Sequence, residues 1–343
     1  MDKSQILELL KKIRYPGYSR DIVSFGLVGN ITITNGKAII TMKYTTQSQQ
    51  VQEEIEKRIK EKLQSLTQIK EIEIKREMQK ARYETMKKKF PAKYTIAIAS
   101  GKGGVGKSSV TAILAVALSN LSYKVGIIDA DVYGPSIPLI LGIHETPELE
   151  VDNKISVPSK NNIKVISIGL VVRENEAVIW RGPMIYKALE QFLFQCNWGQ
   201  LDFLLVDLPP GTGDAPLSLA QLGDITGVII VSTPQKAAVD VAKKAIFMFQ
   251  KLQTKIIGII ENMSYFQCNN CGKEHYLFGT GLVEYICKLT NTPLLGKLPI
   301  DRILIELADK GQLDALPFQA PHLYREYLKI TKTLLNFLGF TQS

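Results

Sequence analysis

Cysteine is scarce in this chain, with four residues in 343. So few thiols over such a length make no disulfide framework, and a cytoplasmic protein with reduced thiols is the expectation. No apolar run approaches the roughly 18 residues that cross a bilayer. Met1 to Tyr15 alternates charged and apolar side chains and lacks the apolar block of a secretory signal, so no such signal is expected. Strong compositional bias is also missing. Hydrophobic residues make up 45% and charged residues 22%, which excludes a disordered or collagen-like chain. Internal repeats and low-complexity segments are absent as well. On a prior of about 150 residues per domain the length suggests two domains.

Acidic residues fall short of basic ones, giving a formal net charge of +9. The shortfall sits in one place. Residues 1–91 hold 19 Lys and Arg against 11 Asp and Glu, while the remainder holds 23 against 22. A basic protein admits nucleic acid or an anionic membrane as partner. Confined to the first quarter of the chain, the excess reads better as a solvated appendage that docks an acidic client or keeps the chain soluble. Neither a nucleic-acid nor a membrane partner is expected.

The first quarter, residues 1–75, reads as a small α+β domain. Ile6, Leu9, Leu10 and Ile13 form a helical stripe. Residues 31–44 read as a hairpin turning at Asn35-Gly36. A helical pattern over 51–66 and a short strand through Ile69, Ile72 and Ile74 complete the order helix, strand, strand, helix, strand. Residues 76–92 carry Arg76, Lys80, Arg82, Lys87, Lys88 and Lys89 and read as a basic linker. From residue 93 to 343 the pattern is repeated β-then-α. Buried-type strands are expected at 95–99, 124–129, 165–168, 203–207, 227–232, 255–260 and 294–297, with helices such as 107–120 and 237–251 between most of them. The fold class that follows is α/β, a mainly parallel sheet flanked by helices and preceded by the small α+β domain.

Gly101-Lys-Gly-Gly-Val-Gly-Lys-Ser108 satisfies G-x-x-x-x-G-K-[ST] and lies between an expected strand and an expected helix. Its glycines let the backbone curl so that successive N–H groups face phosphate oxygens, and the helix N-terminus adds partial positive charge. Lys107 is placed to reach the β- and γ-phosphates and Ser108 to ligate Mg2+. Phe203-Leu-Leu-Val-Asp207 is an apolar strand ending in a carboxylate, suited to hold hydrated Mg2+. Asp129 ends another strand and reads as a strand-end or Mg2+-shell residue. A P-loop NTPase that binds ATP is expected.

Cys268-Asn-Asn-Cys271 can bring two thiolates to one metal. Alone it reads equally as half a zinc site, a redox pair or two ordinary cysteines. The redox reading is weakened because the pair does not open a helix straight after a strand. Four-coordinate zinc or a [4Fe-4S] cluster needs two more ligands, which a second copy across a two-fold axis would supply. His275 reads as a surface residue, and Cys196 and Cys287 as core thiols.

Together these motifs resemble the Mrp/ApbC-type iron–sulfur carrier ATPases, relatives of MinD and ParA. The resemblance covers nearly the whole chain, through residues 101–109, 129–136, 180–184, 209–214, 261–264 and 266–279. It implies nucleotide contacts at Gly101, Lys102, Gly103, Gly104, Val105, Gly106, Lys107, Ser108 and Ser109, with Asn262 at the adenine and Pro299 and Asp301 near the base. Lys102 resembles the signature lysine that reaches a partner's nucleotide, and Asp131 the residue that orients the attacking water. Lys102, Lys107 and Asp131 are then the catalytic set, and the turn over 209–214 senses the γ-phosphate. Cys268 and Cys271 of two subunits would hold a bridging [4Fe-4S] cluster for delivery from a cluster donor to apoprotein clients. Residues 1–75 resemble the iron–sulfur assembly domain often fused ahead of this ATPase, through residues 21–27 and 35–46. Such domains commonly carry Cys-Pro after the Thr-Thr pair, whereas this chain has Thr45-Thr-Gln-Ser-Gln-Gln50 and no cysteine before Cys196. A thiol role for the small domain is excluded.

The leading expectation is a homodimeric, slowly hydrolysing ATP-dependent cluster carrier. The alternatives are a MinD/ParA-like positioning ATPase that binds DNA or membrane, using the basic quarter or residues 323–338, and a zinc-stapled dimeric ATPase.

Overall fold

The computed structural model describes residues 3–14, 21–24, 26–34, 36–44, 49–64, 69, 71–78, 88–150, 152–171, 180, 182–268 and 270–340. Asn35 of the expected turn, Thr45 to Ser48, residues 79–87 of the expected linker, and Arg181 lie outside them. The chain divides into two compact units, Met1–Met86 and Lys87–Ser343.

In the first unit β1 (Val28–Thr34), β2 (Lys37–Tyr44) and β3 (Glu71–Met78) form a sheet in that order. β1 and β2 are antiparallel, and β3 runs parallel to β2. Along β2 every second side chain, Ala38, Ile40, Met42 and Tyr44, is buried, as a half-buried strand requires. Ile55, Ile59 and Leu63, one helical turn apart, come from the Gln49–Gln64 helix to the same core.

β3 runs further than the sequence pattern indicates. Arg76, Glu77 and Met78, expected to open the linker, pair with Met42, Lys43 and Tyr44. The Arg76 guanidinium grips both Glu56 oxygens at 2.7 and 3.0 Å, so a charge that looked solvated is used within the unit. At the linker's other end Phe90 is buried in the second unit and stacks on Phe194.

The second unit holds β4 (Ala92–Ser100), β5 (Val125–Asp129), β6 (Ser159–Lys160), β7 (Ile163–Ser167), β8 (Leu201–Asp207), β9 (Gly227–Ser232), β10 (Ile256–Glu261), β11 (Phe266–Gln267), β12 (Glu274–His275) and β13 (Leu294–Lys297). Eight of them form one sheet, in the order β13-β10-β9-β4-β8-β5-β7-β6. Only β6, at an edge, is antiparallel to its neighbour. The strands are apolar on both faces. Ile96 and Ile98 of β4 enter one core with Phe203 and Leu205, while Ala97 and Ala99 enter the other with Leu204 and Val206. Helices therefore cover both sides. The Lys107–Asn120 helix is buried almost all round. β4 lies at the centre between β8 and β9, so its carboxyl end opens at the crevice where such sheets bind ligands. Among the described residues no helix is long and apolar enough to cross a membrane.

Candidate functional site

The phosphate loop is the turn from β4 into the Lys107–Asn120 helix. Gly104 and Gly106 both take φ of +78°, a left-handed conformation that side chains resist. Gly101 abuts the backbone of Val241 and Ala242, and Gly106 abuts the Asn262 amide, so neither has room for a Cβ. The helix has no side-chain cap. Its first N–H to bond back is that of Val110, to the Gly106 carbonyl at 3.0 Å. The N–H groups of Lys107, Ser108 and Ser109 stay at the mouth of the loop, where the helix end attracts anions.

Three donors converge on Asp207, the last residue of β8. Lys107 Nζ and Ser108 Oγ each approach Oδ2 at 2.6 Å, and Thr111 Oγ1 approaches Oδ1 at 2.6 Å. Asp207 is fully buried. On the neighbouring strand Asp129, also fully buried, is in register with it. Asp129 Oδ2 accepts from the N–H groups of Ser136 and Ile137 and from the Ser167 hydroxyl, at 3.0, 3.1 and 3.0 Å. Its Oδ1 accepts from Asp131 N–H at 3.2 Å. Four protein donors thus meet the Asp129 carboxylate where the strand ends. Burial, then the charge of Asp207, pushes its carboxyl up to about 7.

Above these carboxylates lies a cavity of about 650 Å3. Lys102, Gly103, Gly104, Val105, Gly106, Lys107, Ser108, Ser109, Asp131, Asn262, Pro299 and Asp301 all line it. Gly101, Asp129 and Asp207 lie outside its lining. Lys102 is exposed, and its ammonium has no partner among the described residues. Asp131 Oδ1 accepts from the N–H groups of Tyr133 and Gly134, both at 3.3 Å. From the 209–214 turn Pro210 reaches the cavity, and Gly211 N–H bonds the Ser100 carbonyl at 2.8 Å. Asn262 donates from Nδ2 to the Val105 carbonyl at 2.8 Å, so it braces the loop as well as lining the cavity. Asp301 caps the Arg302–Asp309 helix, accepting from Ile303 N–H at 2.7 Å.

Sequence reasoning missed the apolar half of the cavity. Ile140, Phe278, Ile300, Leu304, Ile305, Ala308 and Tyr327 form it. The signal was present in the apolar Arg302–Asp309 helix directly after the Pro299–Asp301 turn, but nothing local says which way that helix faces. One half of the cavity thus offers amides and a lysine, the other an apolar wall for a planar base.

The cysteine pair sits on a two-stranded hairpin of β11 and β12. Cys268 N–H bonds the Lys273 carbonyl at 3.0 Å, and Gly272 N–H bonds the Cys268 carbonyl at 2.8 Å. Gly272 turns the chain at φ +70°. The Cys268 sulfur accepts from the N–H groups of Cys271 and Asn270 and from the Cys271 thiol, which holds it below the usual thiol range. Cys271 is exposed, as is His275. Among the described residues no cluster of three or more Cys, His, Asp or Glu could hold a metal. One chain brings two thiols together at this turn. The other two cysteines are buried, and burial pushes Cys196 up to about 12 and Cys287 up to about 11.

Hairpin and cavity share backbone. Leu298 N–H bonds the Glu261 carbonyl at 2.8 Å, Ser264 N–H bonds the Leu298 carbonyl at 2.8 Å, and Ile300 N–H bonds the Tyr265 carbonyl at 2.7 Å. Phe266 then bridges to Ile300. The ladder of β10 and β13 therefore continues past Asn262 and Pro299, which line the cavity, into the strand that delivers Cys268.

A glycine loop wrapped before a buried helix, with a carboxylate beneath it at the end of an adjacent parallel strand, defines a P-loop nucleotide-binding protein. Comparison with known proteins takes the assignment further. Residues 91–335 match the family described as NUBPL iron-transfer P-loop NTPase, and residues 3–75 match that described as iron-sulfur cluster assembly protein. The chain belongs to the NUBPL iron-transfer P-loop NTPase family. It is 39% identical over 318 residues to an iron-sulfur cluster carrier protein of Helicobacter pylori, covering 91% of this chain and 86% of that one. To an iron-sulfur cluster carrier protein of Aquifex aeolicus it is 45% identical over 251 residues, 72% of this chain and 69% of the relative. Among solved structures it resembles a nucleotide-binding protein of Archaeoglobus fulgidus in complex with ADP, with 40% identity and a TM-score of 0.58 over 65% of this chain and 88% of that one. The septum site-determining protein MinD of Pyrococcus horikoshii, at 22% identity and a TM-score of 0.52 over 72% of this chain and 97% of that one, shares the fold.

Proposed function

We propose that this chain is an iron–sulfur cluster carrier whose hold on its cargo is set by ATP. Two subunits bridge one [4Fe-4S] cluster through Cys268 and Cys271 of each and pass it to apoprotein clients. The observation that carries this reading is the exposed two-thiol turn, short of two ligands, on a strand continuous with the wall of the nucleotide cavity.

ATP binds with its phosphates on the loop amides and Lys107, and its base against Phe278, Leu304 and Tyr327. Lys107 then exchanges the Asp207 carboxylate for phosphate oxygens. Ser108 and Asp207, 2.6 Å apart, are hard oxygen donors suited to Mg2+, which neutralises phosphate charge when bound. Asp131 orients the attacking water, and Lys102, exposed and unpaired, reaches the nucleotide of the second subunit. Asn262, bonded to the loop carbonyl of Val105, sits where the loop meets the hairpin ladder. A change at the phosphates is thereby felt at the cysteines, and hydrolysis is slow and regulatory.

Anaerobic reconstitution of the full chain, followed by iron and acid-labile sulfide analysis, tests this. About four irons per dimer and a broad visible absorbance are expected. A Cys268→Ala, Cys271→Ala double variant that kept the cluster would sink the proposal, and zinc in place of iron in protein purified without oxygen would replace it with a structural metal site.

A further inference from the structure

The hairpin leads through Leu277 into the Leu282–Thr290 helix. That helix buries Val283, Ile286 and Cys287 against the sheet. A surface helix would then show polar residues on its other side. This one does not. Its exposed residues are Leu282, Tyr285, Lys288 and Leu289, and the three apolar ones fall at i, i+3 and i+7, on one face. Tyr285 is 62% exposed and Leu289 49%, and Leu277, just before the helix, is 63% exposed.

The first turn of the helix lies near the base of the cysteine hairpin. Glu284, in the helix's first turn, pairs with Lys297 of β13. Lys297 also lies 3.8 Å from Glu261, where the chain leaves β10 towards the hairpin. The two flanks of the hairpin, Tyr265 and Tyr276, meet with ring centroids 6.2 Å apart. The start of the helix and the base of the hairpin thus converge at the ends of β10 and β13.

We propose that the outer face of the Leu282–Thr290 helix, with Leu277, is the surface through which two copies of this chain associate around the cluster. The inference rests on the bridged-dimer reading above and adds the surface to it. Two observations select a second copy as the occupant. The adjacent thiol pair lacks two ligands, and a second copy brings the same pair. An apolar stripe is also self-complementary across a two-fold axis, whereas a charged face meets its own sign.

The test uses the full-length chain carrying Tyr285→Glu and Leu289→Glu. Both positions are exposed, and an unchanged ATP-induced thermal shift checks the fold. After anaerobic reconstitution, sedimentation and iron analysis are read for variant and wild type. The variant is expected to self-associate about thirtyfold more weakly, as loss of an interface aromatic implies, and to retain less iron per chain. In a second measurement, p-benzoylphenylalanine in place of Tyr285 is expected to cross-link to another copy of the chain. A variant that stays dimeric with full iron overturns the surface and leaves the bridged cluster standing, as does a cross-link only to other proteins. A wild-type chain that holds its cluster as a monomer overturns the bridged reading and the surface with it.

Discussion

The phosphate loop and the cysteine hairpin are both turns shaped by left-handed glycines, yet the loop's cradle gathers many partners from one chain, while the thiol pair has no third Cys, His, Asp or Glu beside it among the described residues. At the loop, the helix amides, Lys107, Ser108 and Asp207 converge in a buried, pre-arranged cradle. At the hairpin, Cys271 is exposed and Cys268 half-buried, two thiols where a tetrahedral metal or a cluster takes four ligands. On the proposed reading the cradle is prearranged in each chain and receives Lys102 from a partner, while the hairpin is a half-site that a second copy completes. The shared ladder at Leu298–Glu261 and Ile300–Tyr265 joins the two in backbone, and the proposed function uses it to couple them.

The widest gap is expected among the thiols. At pH 8 a thiol near 12 is about one part in ten thousand ionised and one near 11 about one in a thousand, which describes Cys196 and Cys287. Iodoacetamide on the native protein should mark Cys268 and Cys271 and leave Cys287 slower by up to about a thousandfold and Cys196 by up to about ten-thousandfold, read by peptide mass mapping. The sign with pH is fixed. Raising pH from 8 to 10 speeds the buried pair about tenfold per unit, while Cys268, held lower by its N–H donors, gains less. Equal labelling of all four would erase the contrast between structural and chemical cysteines.

Next in size is Lys107→Ala. Loss of a charge placed at the phosphates should cut ATP turnover about 10²–10³-fold. It also leaves Asp207 buried without its cation, costing about 3–5 kcal/mol, so the melting temperature should fall as well. Iron bound by reconstitution without nucleotide should survive, because the hairpin makes no use of this lysine. Gly106→Ala comes third. Its Cβ would press on the Asn262 amide at a φ of +78°, and ATP affinity measured by calorimetry should weaken about tenfold to a hundredfold.

These contrasts also explain what could be read from sequence. The glycine loop, the strand ending at Asp207 and the two-cysteine turn are short-range patterns whose chemistry depends on local spacing. The apolar wall of the cavity was hidden because Phe278, Leu304 and Tyr327 come together only through packing. The role of Asp129 was open for the same reason. Its donors come from Asp131, Ser136, Ile137 and Ser167, partly across to a neighbouring strand. Arg76 looked like linker because charge runs usually are, and only its pairing with Glu56 places it in β3. β6, β11 and β12 are two residues long each, too short to leave a period.

The smallest effect expected is the most local. Gly272 takes φ +70°, and nothing lies within 4 Å of an added Cβ. Gly272→Ala therefore meets no steric obstacle and pays only for a left-handed conformation, about 1–2 kcal/mol. The hairpin is exposed, and its register rests on bonds within the turn, such as Gly272 N–H to the Cys268 carbonyl. The cost should fall there, loosening the pair of thiols and lowering retained iron a fewfold to about tenfold. Gly272→Asn, which tolerates this region better, should restore part of it. Melting temperature and ATP turnover should stay at wild-type values, since the core and the phosphate loop do not depend on this turn. A drop in melting temperature with Gly272→Ala would mean that the hairpin is part of the cooperative core, and the division between a prearranged cradle and a loosely held thiol turn would have to be redrawn.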